Sequence, residues 1–467
     1  MTSRVLMIAL DGADGRMLDR RSDDGSMPNL AALRARGRAK RLSAPHGLTD
    51  DALWASFQYA ADVGEHGRYS TWLRLANGRH GLAHLDEVDR DTFWDGLSRR
   101  GMRVAVFDVP KCREPRPING IHLADWLVHG RYFPEPQSYP ASLAAEIVER
   151  FGPAPPSQCG YDHPDLTDEE VREIVGDLRH GVEQKRAAAL HYLQSEPWDL
   201  FIVGFKELHC SSHKFWDFAD ASHPAHDPGR TSRLGDPIAT IFQDVDAAVG
   251  ELVAAAGPEA EVVLFSTTDF VPNGSLDHLM PRLVVGLNKH LAGKGAARCE
   301  PLPGWRCQLL AYSDNAGALR IVRDARVGGG APAVARRSEV VDEIEAIFCE
   351  LADAESGASV VSSVTRPSAE FAGARAASLP DLLIHYATNV SPRALSSPRL
   401  GVIGAPSPNL RPGNHAAGGF VIAAGDALCA TLDEVYSMAD LGPQAESALG
   451  IPGAEPRGAR TTAIGRR

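Results

Sequence analysis

The stretch Phe205-Lys-Glu-Leu-His-Cys-Ser-Ser-His-Lys-Phe-Trp216 carries two histidines four residues apart, His209 and His213. On a helix this spacing puts both imidazoles on one face, where they can hold one metal ion. A surface pair or satisfied core residues show the same spacing, so a third donor is needed. His415, in Arg411-Pro-Gly-Asn-His-Ala-Ala-Gly-Gly419 ahead of the apolar run Phe420-Val-Ile, stands in a turn-forming segment and could complete a three-histidine site; a polar loop residue is the plain alternative. Asp11 directly follows the apolar run Val5-Leu-Met-Ile-Ala-Leu10. There an open α/β sheet presents side chains to the crevice at the carboxyl ends of its strands, although an Asp-Gly pair is also an ordinary cap or turn. Ser266-Thr267-Thr268-Asp269 ends a second apolar run, and Leu48-Thr49-Asp50-Asp51 precedes a helical pattern. Their hydroxyls and carboxylates are caps unless their neighbours make them nucleophiles or ligands.

The elements that must position these groups read as alternating strands and helices. Apolar runs at 4–10, 103–108, 199–205 and 261–266 are the clearest strands. Helical patterns fall at 28–36, 91–100, 141–151, 168–195, 238–256 and 338–353. The layout predicts an α/β protein with a central, mostly parallel sheet flanked by helices. Segments 109–166 and 295–335 lack clear periodicity and read as insertions or a cap. Residues 1–451 are expected to form one domain, and 452–467 a flexible tail.

Composition narrows the function classes. With 44% apolar and 23% charged residues over 467 positions, the chain is neither disordered nor fibrous. A net charge of −12 repels nucleic acid and anionic lipid at long range, so neither is an expected partner. A small anionic substrate stays compatible, because a bound cation can outweigh the global field locally. The seven scattered cysteines fit a reducing compartment, and with no run of about 20 apolar residues the expected location is the cytoplasm. Homo-oligomerisation is left open.

Taken in order, these segments resemble the alkaline phosphatase superfamily, in its type I phosphodiesterase and nucleotide pyrophosphatase branch. The resemblance rests on Leu10-Asp-Gly-Ala-Asp14 with Met27-Pro-Asn-Leu-Ala-Ala-Leu-Arg-Ala-Arg-Gly37, on Trp54-Ala-Ser56 and Gly64-Glu-His-Gly67, on Gly101-Met-Arg-Val104 through Val109-Pro110, on Leu287-Asn-Lys-His-Leu291 and Pro380-Asp-Leu-Leu383, and on Gly413-Asn-His415 with Gly418-Gly-Phe420. It implies an alkaline-phosphatase-like fold with cap insertions and two metal ions clamping an in-line displacement.

The match also departs from the family's pattern. Its Asp-x-x-x-His pair is here His209 and His213, and its Asp-His dyad falls on Thr267 and Thr268. Counting back from Trp54, its nucleophile lands on Asp50, with Thr49 fitting only after a one-residue insertion. The Thr-Gly that follows in its helix is Tyr59-Ala60. The resemblance therefore implies one divalent ion on His209, His213 and His415, with Asp11 as a further ligand or orienting group. Zinc is the expected ion, and iron or manganese accept the same donors. Thr267, Thr268, Asp269 and Asp51 are candidate substrate or second-site contacts. Three readings follow: a mono-metal hydrolase of a small anionic ester, a non-hydrolytic lyase, isomerase or transferase on the same fold, and a non-catalytic binding descendant.

Overall fold

The computed structural model describes residues 4–43, 48, 50–70, 72–74, 80–82, 88–127, 133–156, 165–294, 302, 304–313, 315–323, 332–388, 390–406 and 411–451. The expected tail 452–467 and parts of both expected insertions lie outside them. An eight-stranded sheet runs in the order Arg38–Leu42, Gly419–Ala424, Glu261–Ser266, Val5–Leu10, Leu200–Phe205, Val104–Phe107, Gly120–Ala124 and Gln137–Tyr139. Its five central strands, from Glu261–Ser266 to Gly120–Ala124, are parallel. The outer strands pair antiparallel at both ends.

Four of them, Glu261–Ser266, Val5–Leu10, Leu200–Phe205 and Val104–Phe107, are buried along their whole length, which is why they read as unbroken apolar runs rather than alternating ones. Alternation survives in where the side chains go. Leu6, Ile8 and Leu10 join one core cluster, beneath helices Asp168–Ser195 and Pro237–Ala256, while Val5, Met7 and Ala9 join another with Trp54, Phe57, Trp94 and Leu441. Each fully buried large apolar side chain contributes about 1.5–3 kcal/mol, so helices on both faces are the only way this sheet gains its stability. Strands 4–10, 103–108, 199–205 and 261–266 and the six expected helices all occur. The last helix begins earlier than expected, at Pro332, where a missing N–H suits a first turn.

The expected insertion 109–166 needs correction. It supplies two strands of the central sheet, Gly120–Ala124 and Gln137–Tyr139, and helix Leu143–Phe151, whose Leu143 and Ile147 enter the core. The strands are short and interrupted by His122 and polar residues, so they leave little periodic signal. The cap is larger than 295–335. A second, four-stranded antiparallel sheet, ordered Trp305–Ser313, Ala316–Arg323, Leu382–Tyr386 and Val361–Thr365, packs with helices Met280–Leu291 and Pro332–Cys349 around its own apolar cluster from Leu276 to Leu395. Five described cysteines are free thiols. Among the described residues no helix is long and apolar enough to cross a membrane.

Ala60 ends helix Asp50–Tyr59 at φ 45°, a left-handed conformation that a Cβ disfavours by about 1–2 kcal/mol. Ala60→Gly is expected to raise stability by about 1 kcal/mol, read as a higher denaturant midpoint at unchanged slope.

Candidate metal centre

The site forms where the parallel strands end. Asp11 leaves Val5–Leu10 and turns through Gly12, whose φ of +62° and close approach leave no room for a side chain: a Cβ would stand 2.7 Å from Phe270 and 3.0 Å from His209. Leu200–Phe205 leads into helix Glu207–Ala219, which carries His209 and His213 one turn apart on its buried face. The helix breaks its regular geometry only at Phe215, past both histidines. His415 arrives from the other end of the chain on strand Gly413–Ala416, paired antiparallel with Asp269–Pro272 so that it lies opposite Phe270. Gly413 lets that strand lie against the helix, since a Cβ there would meet the Ser212 carbonyl oxygen at 2.2 Å.

The three imidazoles converge, with ring centroids 4.3, 4.7 and 4.7 Å apart. His213 Nδ1 donates to the Gly413 carbonyl at 2.8 Å, which leaves the Nε2 lone pair facing its neighbours. The Nε2 atoms of His209 and His213 are 3.2 Å apart. Two nitrogens bound to one tetrahedral zinc at about 2.0–2.1 Å would be separated by about 3.3 Å, so the pair is already spaced for a shared ion. One ligand atom from each of His209, His213 and His415 lies within 4.8 Å of the others, and the same holds for Asp11, Asp50 and His209. Asp50 opens helix Asp50–Tyr59, 3.8 Å from His209 Nε2 and 4.0 Å from His415 Nδ1. All five groups are buried. Phe270 covers the imidazoles at centroid distances of 4.7–5.9 Å.

Asp11 Oδ1 accepts from Trp54 Nε1 at 3.1 Å, while Oδ2 is buried with no hydrogen-bond partner among the described residues. Such an orphan costs about 1–3 kcal/mol and marks a place for a cation or a donor. Burial, then the neighbouring Asp50, pushes the Asp11 carboxyl up to about 8, against the opposing pull of His415, Trp54 and Lys111. The donors present thus suit one ion at the histidines, extended toward Asp11 and Asp50. A second ion bound through Thr267 and Thr268 does not fit, since both residues are buried and offer only neutral hydroxyls, unpartnered among the described residues.

Not every expected contact gathers here. Asp269 accepts from the Gly15 N–H at 2.9 Å and pairs with Arg41, tying its strand to helix Gly15–Asp23 instead of facing the histidines. Asp51 is paired with Lys111 at 3.1 Å. Thr49 lies outside the described residues. Sequence reasoning missed Trp54 and Phe270 as parts of the site, because a buried aromatic carries the same signal whether it packs a core or a centre. It also missed the amides of Asn273, Asn315 and Asn414 behind His415.

A family model described as type I phosphodiesterase / nucleotide pyrophosphatase matches residues 5–389. No curated protein sequence matches the chain. Among solved structures, phosphonoacetate hydrolase from Sinorhizobium meliloti 1021 in complex with phosphonoformate is similar at 14% identity and a TM-score of 0.56, covering 96% of each chain. Murine ectonucleotide pyrophosphatase / phosphodiesterase 5 is similar at 10% identity and a TM-score of 0.51, covering 98% of this chain and 97% of that one. At these identities the likeness is one of fold.

Two outcomes are expected. His213→Ala should lose metal retention, measured by plasma mass spectrometry on protein purified without chelator; wild-type stoichiometry would remove the three-histidine site. In metal-free protein, Asp11 keeps in the folded state a proton that the unfolded chain releases above its ordinary pKa of 3.8. Its contribution to stability should therefore fall as pH rises from about 4 to about 8, and Asp11→Asn should flatten that part of the denaturation-midpoint profile.

Proposed function

The chain belongs to the type I phosphodiesterase / nucleotide pyrophosphatase family, and from that premise we propose that it is a metal-dependent hydrolase of a small phosphoester or related phosphonate anion, working with a single three-histidine ion. The observation that carries this reading is the convergence of His209, His213 and His415, from segments 200 residues apart, on two buried carboxylates. The acidic chain disfavours polyanions, and two proteins of similar fold are a phosphonoacetate hydrolase bound to phosphonoformate and an ectonucleotide pyrophosphatase / phosphodiesterase, in keeping with a small anion.

A divalent ion on three neutral imidazoles keeps its full charge and supplies Lewis acidity toward a phosphoryl oxygen. Asp50 supplies the attacking oxygen: a bond forms from its carboxylate to phosphorus as the ester P–O bond, or the P–C bond of a phosphonate, breaks, and the alkoxide or carbanion leaves with the electron pair and takes up a proton. Water then cleaves the aspartyl phosphate and restores the carboxylate. Asp11, held on one oxygen by Trp54, orients its other oxygen toward the same space. The Thr267 and Thr268 hydroxyls donate to substrate oxygens where charged ligands are absent. Phe270 and the buried strand ends exclude bulk water, which strengthens each of these interactions. Zinc is our choice of ion, and the reducing cytoplasm our choice of compartment, in keeping with the scattered cysteines.

Metal-loaded protein is expected to release nitrophenol from p-nitrophenyl phosphate or its bis ester, or phosphate from phosphonoacetate; no turnover of any of them would count against hydrolysis. Asp50→Asn should lower turnover at least about a thousandfold with metal content intact. An active Asp50→Asn beside an inactive Thr49→Ala would move the nucleophile to Thr49.

A further inference from the structure

The longest hairpin of the cap, Trp305–Ser313 with Ala316–Arg323, ends in a turn that carries Asn315: Ser313 pairs with Ala316 across it. Asparagine is an ordinary turn residue, which accounts for its presence but not for where its amide points. Asn315 Nδ2 donates to the carbonyl of His415 at 2.8 Å. Its Oδ1 accepts from the Gly274 N–H at 3.2 Å and stands 3.5 Å from Asn414 Nδ2, and its backbone carbonyl accepts from the Tyr386 N–H at 2.8 Å. The turn is thereby bonded to the cap sheet, to the loop after Asp269–Pro272 and to the histidine strand together.

The surrounding amides complete a frame. Asn414 Oδ1 accepts from the His415 N–H at 3.0 Å and from Arg411 Nη2 at 2.9 Å, while its Nδ2 donates to Asn273 Oδ1 at 3.1 Å. Asn273 in turn donates to the Arg411 carbonyl at 2.9 Å. Both main-chain polar groups of His415 are therefore held by asparagine side chains, and the one on its carbonyl comes from the cap, 100 residues away. His213 has its ring fixed by a carbonyl of the same strand. A donor histidine is only as good a ligand as its orientation: partners that hold a ligand's ring N–H are worth roughly 10–100-fold in metal affinity, and a hold on the main chain of His415 acts on the same orientation.

We propose that Asn315 is a positioning residue through which the cap hairpin sets His415 as a metal donor, so that metal affinity depends on how the cap is seated. This rests on the three-histidine reading of the site. Asn288 provides the contrast. It brackets Cys307 of the same hairpin, with Nδ2 donating to the Cys307 carbonyl at 3.0 Å and Oδ1 accepting its N–H at 2.8 Å, and so ties helix Met280–Leu291 to the hairpin within the cap without touching the His415 strand.

The test is cobalt(II) titration of metal-free, full-length protein, following visible absorption and competition with a chelator, for wild type, Asn315→Ala, Asn315→Asp, Asn288→Ala and His415→Ala. Asn315→Asp keeps the volume and the acceptor for Gly274, and stands in if the alanine variant does not fold. Folded Asn315 variants should bind cobalt about 10–100-fold more weakly with an altered spectrum, whereas Asn288→Ala should lower the denaturation midpoint and bind as wild type does. Wild-type affinity and spectrum in a folded Asn315 variant, or equal weakening by Asn288→Ala, would overturn the assignment. Loss of cobalt in His415→Ala beside unchanged Asn315 variants rejects only the positioning role; no uptake by wild type, or retention by His415→Ala, rejects the three-histidine site beneath it.

Discussion

Asp11 and Asp50 lie buried side by side at the carboxyl ends of parallel strands, facing three imidazoles from which bulk water is nearly shut out. Two carboxylates that close, in so little solvent, cannot both stay charged without a cation, and the raised Asp11 carboxyl is the measure of that conflict. Much of the surrounding structure answers it. Trp54 donates to one Asp11 oxygen, and Lys111 pairs with the adjoining Asp51. Two strands over from Asp11, past Leu200–Phe205, buried Lys185 pairs with Asp108 at 3.1 Å and stands 3.9 Å from Glu207, while Asp108 also accepts the N–H groups of Trp126 and Leu127. The same crowding that is costly without a counter-charge makes the place suited to a divalent ion.

Rigidity comes from the sheet, and part of the hold on His415 comes from the cap. Because both faces of the parallel strands are covered, their ends cannot drift, and the residues that leave them are held in register from Asp11 to Thr267: Leu10 lies opposite Ser266 and Phe205. His415 is different. It enters on a short strand whose position depends on Gly413 against the helix, on Phe270 opposite it and on an amide from the cap. One third of the histidine set thus answers to a separately packed layer with its own apolar cluster.

Much of the fold could be read along the chain because fully buried strands and long helices leave unmixed patterns: Val5–Leu10 and Asp168–Ser195 stand where their residues place them. Strands Gly120–Ala124 and Gln137–Tyr139 read along the chain as an insertion, because five or fewer residues with a histidine or polar side chains among them carry no usable period. In the site, His209 and His213 were legible as a pair because a helix turn is a local object. The destination of Asp269 was not, since Gly15 and Arg41, its actual partners, lie more than 220 positions away.

The residue types and their local spacing determine on their own that this chain folds as a layered α/β protein, that two imidazoles share one helix face, and that neutral threonines stand where the resemblance expects charged ligands. Those properties depend on hydrogen bonds and side-chain directions within a few residues, which the order of amino acids specifies directly. Only the tertiary structure decided that His415 meets them, that Asp50 rather than Asp269 joins Asp11, and that an asparagine of the cap reaches the His415 carbonyl. Each of these is a contact across 39 to 206 positions of chain, set by which strands the sheet brings together and by how the cap packs, and no local pattern encodes the distance between elements that only a shared core can fix.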